Sequence, residues 1–294
     1  MQLINHKCII PSAAFTLKPS MVKKYQVVEK IPEAGDVVYG EILSLGLHRT
    51  LESRSARIHT IQEGTRSIFV FGNRYAPDYY ESFVPDKSTR LLDLCARSGL
   101  VGKVSTQNLS ISSPTRVKLI GYVCDSQGKI INTLDYPLLS PKVTVKKTKR
   151  ARIILCIGTA MNSGKSHAAA ACCYALSSMN KKVRAAKVTG TASLKDLLLM
   201  EDCGAGRIAD FTYLGYPSTY MLDQKNLMRI FDTIDLKYGN NPANYLVVEF
   251  ADGILQRETA ILLDMEAVRK RIHKLISCGY DAFGVLGGLQ VLKE

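Results

Sequence analysis

The strongest constraint in this sequence is a glycine-rich turn that joins an apolar segment to a helix-forming one. Residues 153–157 are all apolar, which predicts a fully buried strand. Residues 158–166 follow as the turn and end in Gly-Lys-Ser, and the small apolar residues of 168–176 favour a helix. Because backbone N–H groups in such a turn and at a helix start converge on an anion, this order of elements predicts a phosphate-binding loop.

A nucleoside triphosphate, ATP or GTP, is the ligand that we expect in this loop. Lys165 is expected to contact the β- and γ-phosphates, and the Ser166 hydroxyl to bind Mg²⁺. The predicted phosphate-binding set is Gly158, Thr159, Ala160, Met161, Asn162, Ser163, Gly164, Lys165, Ser166 and His167. The common pattern has a glycine where Thr159 stands. The alternative is an ordinary strand-to-helix turn in which Gly-Lys-Ser occurs by chance.

Strand and helix patterns alternate after the turn, which predicts a mostly parallel sheet covered on both faces. The predicted strands are 153–157, 183–187 and 245–249, with an extended piece at 210–214 and a last strand at 281–286. The predicted helices are 166–179, 193–203, 223–237 and 262–277. Residues 151–294 are therefore interpreted as one α/β domain.

Polar residues at the carboxyl ends of these strands are the next candidates, because ligands bind there in such sheets. Glu249 is predicted to hold Mg²⁺ or to orient water, and Lys187 to neutralise a phosphoryl group or hold an anionic substrate. Asp196, at the start of the next helix, is a further metal ligand candidate. The plainer alternatives are solvated strand ends for Glu249 and Lys187 and a helix-dipole contact for Asp196. Residues 256–258 either reach this site or lie on a helix surface.

Residues 1–141 are predicted to form a smaller β-rich domain, a barrel or a sandwich. Its strand candidates are 37–43 and 67–71, followed by a hairpin with arms 117–124 and 129–134, while 89–98 is predicted as a short helix. The stretch 71–80 combines Arg74 with three tyrosines and is either a ligand loop or a solvated turn. A basic cluster at 142–150 is interpreted as a solvated linker between the two domains.

The net charge of +13 is concentrated in the first half of the chain. Residues 1–150 hold 22 Lys and Arg against 12 Asp and Glu, a balance of +10, and residues 151–294 hold 17 against 14, a balance of +3. A basic first half can bind nucleic acid, although no aromatic-interleaved basic motif accompanies the charge. This leaves a nucleic-acid partner as an open alternative.

Cysteine usage and hydropathy indicate where such a chain works. The eight cysteines form no C-x-x-C pair, which favours reduced thiols over disulfides or a zinc site. No apolar run reaches the ~18–20 residues that a membrane span needs, and the first residues lack the apolar block of a signal sequence. We therefore expect a cytoplasmic protein without a membrane segment.

The combined motifs resemble a known group of proteins. The Gly158-Thr159 start of the turn, its Gly-Lys-Ser end, the strand-ending Lys187, Asp196 and Glu249 are similar to the dethiobiotin synthetase-like branch of P-loop proteins, whose loop begins Gly-Thr. More closely, AAKVTGT (185–191), DFT (210–212), STY (218–220) and EFADGILQRET (249–259) resemble a poorly characterised bacterial family. Its members join a β-rich N-terminal part to a dethiobiotin synthetase-like P-loop NTPase domain.

This resemblance implies an ATP-dependent, Mg²⁺-dependent hydrolase or ligase-like enzyme. It implies that Lys165 stabilises the phosphates, that Ser166, Asp196 and Glu249 hold Mg²⁺, and that Lys187 faces a small anionic substrate. Proteins of this branch commonly form homodimers across the active-site face. The diamine-binding residues of dethiobiotin synthetase have no match here, so the substrate and the choice between ATP and GTP stay open.

Two further functions remain as alternatives. The first is a nucleotide-dependent switch or binding module whose basic N-terminal half engages nucleic acid or a partner protein. The second is a carrier-type accessory protein of cofactor biosynthesis. The enzyme hypothesis is distinguished by turnover that depends on a small substrate, and the switch by hydrolysis that nucleic acid stimulates.

Overall fold

The computed structural model describes residues 1–140 and 145–293 and divides the chain into two units. The first unit comprises Met1–Leu138 together with two later segments, Thr191–Leu194 and Thr212–Ser218. The second comprises the described residues of Leu139–Gly190, Lys195–Phe211 and Thr219–Glu294. Residues 142–144 of the predicted linker lie outside the described residues.

The strands of the first unit are short and mostly antiparallel. They are β1 (Gln2–Leu3), β2 (Lys24–Gln26), β3 (Val37–Ser44), β4 (Thr50–Glu52), β5 (Ile58–Thr60), β6 (Arg66–Phe71), β7 (Arg74–Tyr75), β8 (Tyr80–Phe83), β9 (Leu91–Ala96), β10 (Leu100–Gln107) and β11 (Thr115–Cys124). A short 3₁₀ turn at Ser12–Ala14 lies between β1 and β2, and a second one at Thr133–Asp135 follows β11.

Five of these strands close into a ring of pairings. β11 pairs with β3 and with β9, β3 pairs with β6, β6 pairs in parallel with β10, and β10 pairs with β9. The ring encloses a cluster of buried side chains that includes Val38, Phe69, Leu92, Leu94 and Val117. Because closure removes free strand edges and buries one face of each strand, this arrangement is barrel-like.

One prediction for the first unit was wrong and another holds in part. Residues 89–98 contain strand β9 rather than a helix, because Leu92 and Leu94 alternate into the enclosed cluster and β9 pairs on both sides. The hairpin is present at its turn, where Cys124 and Ile130 form an antiparallel bridge, but its second arm is short and the chain then enters the 3₁₀ turn Thr133–Asp135.

The two late segments belong to the first unit through specific hydrogen bonds. Thr133 Oγ1 donates to the carbonyl of Gly215 at 2.6 Å, and the backbone N–H of Leu194 donates to Glu52 Oε1 at 2.9 Å. Thr191 and Ser218 form an antiparallel bridge between the two segments. The sequence analysis predicted a single boundary between the two domains at 141–151, whereas the first unit also includes these two segments from the later part of the chain.

The second unit alternates strands and helices. Its strands are β12 (Arg152–Gly158), β13 (Lys182–Lys187), β14 (Ile208–Asp210), β15 (Asn244–Glu249) and β16 (Ile272–Cys278). The helices are α1 (Lys165–Ser178), α2 (Leu194–Asp202), α3 (Gln224–Ile234), α4 (Arg257–Asp264), α5 (Glu266–Arg269) and α6 (Ala282–Val291), with a 3₁₀ turn at Phe211–Leu214 and a π-helical turn at Asp235–Gly239.

The five strands of the second unit form one parallel sheet in the order β14-β13-β15-β12-β16. The middle strands are nearly continuous runs of buried apolar residues, as expected when both faces of a parallel sheet are covered. The α/β class and the parallel sheet are thereby confirmed. Among the described residues, every helix is too short or too polar to cross a membrane.

The predictions hold best near the turn and fail towards the end of the second unit. The strands at 153–157, 183–187 and 245–249 and the helix at 166–179 are confirmed within two residues. The extended piece at 210–214 was wrong for its larger part, because β14 ends at Asp210 and a 3₁₀ turn follows.

The last helix and strand were predicted in the wrong order. Residues 262–277 contain the last residues of α4, the whole of α5 and most of β16, which pairs in parallel with β12. Residues 281–286 begin helix α6, and Asp281 caps it by accepting a hydrogen bond from the N–H of Gly284 at 2.7 Å. A short apolar run fits a strand and a buried helix equally well, which explains the error.

A buried ion cluster joins the start of the second unit to the end of α3. Asp235 is 1% exposed, and its two carboxylate oxygens accept hydrogen bonds from Nε and Nη2 of Arg271 at 2.8 and 2.9 Å. Arg150 lies 2.7 Å from the same carboxylate, with 9% of its side chain exposed. The described end of the predicted linker is thus attached to the second unit.

We expect Asp235→Asn to destabilise the protein by about 3–5 kcal/mol, because it leaves two arginines beside a buried neutral group. The matched control is Asp232→Asn, whose carboxylate pairs with the exposed Lys146 and should contribute no more than about 1 kcal/mol. Urea denaturation of both variants measures the difference. Equal effects of the two substitutions would contradict the assignment of Asp235 as a buried counter-ion.

Candidate functional site

The turn between β12 and α1 begins where a side chain would not fit. A Cβ atom built on Gly158 would lie 2.1 Å from Ser163 Oγ and 2.8 Å from Lys165 Cγ. The backbone on both sides is fixed, because the N–H of Ile254 donates to Gly158 O and the N–H of Thr159 donates to Cys278 O, each at 2.9 Å. The absence of a side chain at Gly158 therefore lets the turn fold back over the end of β12.

The turn ends in two left-handed backbone positions. Asn162 has φ of 62° and Gly164 has φ of 100°, and α1 begins at Lys165 directly afterwards. Gly164 provides no side-chain cap, so no side chain at that position competes for the first amides of α1. Ser163 Oγ is buried and has no hydrogen-bond partner among the described residues. The first amides of α1, which have no side-chain cap at Gly164, and a buried hydroxyl thus lie together at the helix start.

Lys165 points back into the turn instead of into solvent. It is 6% exposed, and its ammonium donates a hydrogen bond to the carbonyl of Ala160 at 2.6 Å. Burial lowers the pKa of Lys165, and the carboxylates of Asp252 and Glu249 oppose that shift. The side chain therefore lies in a partly desolvated pocket of negative charge.

The carboxyl ends of β13 and β15 bring the other predicted residues together. Lys187 and Glu249 are register partners on these neighbouring strands. The Lys187 ammonium lies 3.3 Å from Glu249 Oε1 and donates a hydrogen bond to Asp196 Oδ2. Ser166 Oγ donates to the same Glu249 Oε1 at 3.2 Å. One lysine, one hydroxyl and two carboxylates thus form a connected group, which we call the strand-end cluster (Ser166, Lys187, Asp196 and Glu249).

The pKa values of the strand-end cluster follow from this charge arrangement. Burial alone would lower the pKa of Lys187, but the carboxylates of Glu249 and Asp196 outweigh it, so the pKa is raised. The pKa of Asp196 is lowered, first by the positive charge of Lys187 and then by hydrogen bonds from Lys187 and Ser166, against the effect of burial. Both shifts keep the lysine protonated and the aspartate ionised at neutral pH.

The loops behind the strand-end cluster are held by buried threonines. Thr189 Oγ1 donates to Ala251 O and accepts from Ala251 N–H, both at 2.9 Å, which ties the ends of β13 and β15 together. The N–H of Gly190 donates to Thr219 Oγ1 at 2.8 Å. Gly190 has φ of 133°, and a Cβ atom there would lie 3.2 Å from Lys187 Cε. The glycine therefore leaves space beside the Lys187 side chain.

The structure places the remaining predicted residues less directly. Thr159, Ala160 and Met161 are half-buried along the turn, and His167 exposes its side chain on the first turn of α1. The open alternative for 256–258 is resolved for Glu258, which is 1% exposed and accepts from the N–H of Met221 at 2.9 Å. Glu258 therefore holds a loop and neither reaches the strand-end cluster nor lies on a helix surface.

Asp252 is a residue that the sequence reasoning left out of the site. Its carboxylate opposes the lowering of the Lys165 pKa by burial and contributes to the raised pKa of Lys187, so it belongs to the same electrostatic environment. The available signal was its position three residues after Glu249, at the carboxyl end of β15.

The donor set fits a magnesium ion better than a metal with an all-protein cage. The residues that would hold the ion are Ser166, Asp196 and Glu249, which are hard oxygen donors. Glu249 is 1% exposed, and its Oε2 atom has no hydrogen-bond partner among the described residues. The described part of the chain contains no group of three or more His, Cys, Asp or Glu residues that could hold a metal. Mg²⁺ commonly binds through one or two carboxylates plus phosphates, so these three side chains could supply part of the coordination of such an ion.

Comparison with known proteins adds no relative. No protein-family model matches the chain, and no curated protein matches it. The geometry of the site is therefore the basis on which a function can be proposed.

The tyrosine-rich stretch at 71–80 is anchored inside the first unit. Arg74 is 8% exposed, donates a hydrogen bond to Cys95 O, and lies 5.1 Å from the centre of the Tyr79 ring. Tyr80 is fully buried and donates to Ser112 O at 2.8 Å. His48 Nε2 lies 3.3 Å from Arg74 Nη1. These contacts favour a structural role over a ligand loop or a solvated turn.

Burial of His48, and secondly the charge of Arg74, lowers its pKa from 6.5 to about 4. Between these values the unfolded chain binds a proton that the folded chain does not, so the free energy of unfolding should fall as the pH is lowered. The loss should reach about 3 kcal/mol near pH 4, because one pKa unit corresponds to about 1.4 kcal/mol. Urea denaturation of wild type and His48→Gln from pH 7 to 4 tests this.

In His48→Gln the free energy of unfolding should fall less over this range, while the exposed His273→Gln should follow the wild type. Parallel curves for wild type and His48→Gln would show that His48 does not titrate differently in the folded protein.

Proposed function

We propose that this protein binds an Mg²⁺–nucleoside triphosphate, ATP or GTP, at the turn 158–166 and hydrolyses it. We further propose that hydrolysis is coupled to phosphoryl transfer or ligation on a small anionic substrate, as the dethiobiotin synthetase-like resemblance implies. The observation that carries the first proposal is the meeting of a buried lysine, a helix start with uncapped amides and the buried carboxylate of Glu249. Anions bind at helix starts of this kind, and cations bind at such carboxylates.

Each residue has a defined role in this proposal. The amides of the turn and the Lys165 ammonium would bind the phosphates, and Ser163 Oγ offers a further donor without a present partner. Ser166, Asp196 and Glu249 would hold Mg²⁺, which supplies neutralisation of phosphate charge when it is bound. Lys187 would contact the transferred phosphoryl group or the substrate anion. The eight free cysteines support the cytoplasmic location that we propose with it.

Lys165→Ala should weaken nucleotide binding by about ten- to a hundred-fold, because it removes a charge-assisted hydrogen bond that contributes about 1.5–3 kcal/mol. Titration of a fluorescent ATP or GTP analogue against both proteins measures this. The matched control is Lys181→Ala, an exposed lysine after α1 that should bind as the wild type does. Thermal unfolding of Lys165→Ala checks that the fold persists, and unchanged nucleotide affinity in a folded variant would refute the phosphate site.

Glu249→Gln should bind nucleotide nearly as well as the wild type and hydrolyse it more slowly by about tenfold or more. The amide keeps the shape of the side chain and its acceptor oxygen but removes the negative charge. Phosphate release at saturating nucleotide measures the rate, with the exposed Glu266→Gln as the control. Full hydrolysis by Glu249→Gln would exclude Glu249 from the reaction.

A second candidate function is a nucleotide-dependent switch whose first half binds nucleic acid. The balance of +10 over residues 1–150 is the observation that favours it. RNA and DNA should then stimulate hydrolysis, and their binding should weaken steeply between low and physiological salt. Stimulation by a small carboxylate or amine instead, with a phosphorylated or condensed product, would favour the enzyme.

A further inference from the structure

The ammonium of Lys187 lies among the atoms proposed to bind Mg²⁺. It is 3.3 Å from Glu249 Oε1 and hydrogen-bonded to Asp196 Oδ2, while Ser166 donates to the same Glu249 oxygen. The side chains of Lys187 and Glu249 are 11% and 1% exposed, so water screens these charges little. Two of the three proposed metal ligands are therefore already bound to a cation that the chain itself supplies.

The charges explain why such a cation is present. Two carboxylates that face one another in a partly buried site repel, and a buried charge without a partner is strongly destabilising. The lysine lowers that repulsion in the absence of a metal. A divalent ion would be repelled by the ammonium and would compete with it for Glu249 Oε1 and Asp196 Oδ2, while Glu249 Oε2 has no hydrogen-bond partner among the described residues.

We propose that Lys187 is a resident counter-ion of the metal site, which keeps Asp196 and Glu249 in position and opposes the binding of a divalent cation there through its charge and its contacts. This inference rests on the proposed function, because the metal ligands are those named for Mg²⁺ above. It adds that the cation alone binds poorly. A metal that arrives with a triphosphate brings the anion that accepts the displaced ammonium, so the two ligands bind together.

The test measures binding of a metal without nucleotide. Lys187→Met keeps the length of the side chain and removes its charge, and Lys182→Met, at the exposed start of the same strand, is the matched control. Mn²⁺ serves as the probe because its unpaired electrons report free ion by electron paramagnetic resonance, and Mg²⁺ is added in thermal unfolding. We expect Lys187→Met to bind Mn²⁺ about tenfold or more tightly than wild type and Lys182→Met, because the Lys187 ammonium repels the ion and occupies its carboxylate ligands, and removing such a charge shifts ionic sites by that order.

Thermal unfolding should show the same exchange. Without metal, Lys187→Met should unfold at a lower temperature than the wild type, and Mg²⁺ should restore much of that loss while leaving wild type and Lys182→Met nearly unchanged. Equal Mn²⁺ affinity in wild type and Lys187→Met, or equal Mg²⁺ stabilisation of both, would overturn the proposal.

A double variant keeps the proposal testable if Lys187→Met does not fold. Lys187→Met/Glu249→Gln removes the uncompensated carboxylate charge together with its counter-ion, so it should be more stable than Lys187→Met alone. Additive destabilisation by the two substitutions would overturn the proposal. Because these measurements use no nucleotide, they can succeed while nucleotide binding fails, or the reverse, so the two proposals fail separately.

Discussion

The compensation of buried charge at one end of the parallel sheet is the constraint on which the site depends. Glu249 is held at the end of a central strand with 1% of its surface exposed, where an ionised carboxylate is stable only beside positive charge or hydrogen-bond donors. Lys187 reaches it from the neighbouring strand and Ser166 from the first turn of α1. The parallel register of β13 and β15 is thus what sets the spacing of the charges.

The turn before α1 meets a different requirement, which is a close approach of backbone to backbone. Gly158 permits it by lacking a side chain. The turn is then held by two backbone hydrogen bonds, one with Ile254 in the loop after β15 and one with Cys278 at the end of β16. Lys165 closes the turn from inside by its bond to Ala160 O. In the proposed complex, a phosphate would replace this neutral carbonyl with an anionic acceptor, to which the Lys165 ammonium would bond more strongly.

The sequence allowed the central part of the second unit to be predicted because its signals are local. A buried apolar run, a glycine turn and a small-residue helix specify β12 and α1 without reference to other elements, and the polar residues that close β13 and β15 mark the sheet end. The contacts of Lys187 with Asp196 and Glu249 could not be predicted from the spacing of these residues along the chain, because they depend on how the strands and α2 pack together. The roles assigned to these residues stay predictions.

The remaining errors have a common physical origin, which is that tertiary pairing decided the local structure. Residues 89–98 are leucine-rich enough for a helix, yet β9 forms within them because it pairs with β10 on one side and β11 on the other, which closes the ring of strands. A helix was predicted at 262–277 and a strand at 281–286, but the structure has strand β16 in the first range and helix α6 in the second. β16 forms because it pairs with β12, and α6 begins where Asp281 caps it. Asp252 escaped notice because its position three residues after Glu249 does not reveal that two lysines lie close to its carboxylate in the fold.

The two late segments of the first unit have a consequence for how the protein is made. Glu52 and Thr133 bond to residues that follow them by 142 and 82 positions, so these contacts cannot form while only the N-terminal half has been synthesised. The first unit therefore lacks these two hydrogen bonds until Gly215 has left the ribosome. By then the strand-end residues Lys187 and Asp196 have been synthesised, so the residues of the two units are interleaved in the order of synthesis.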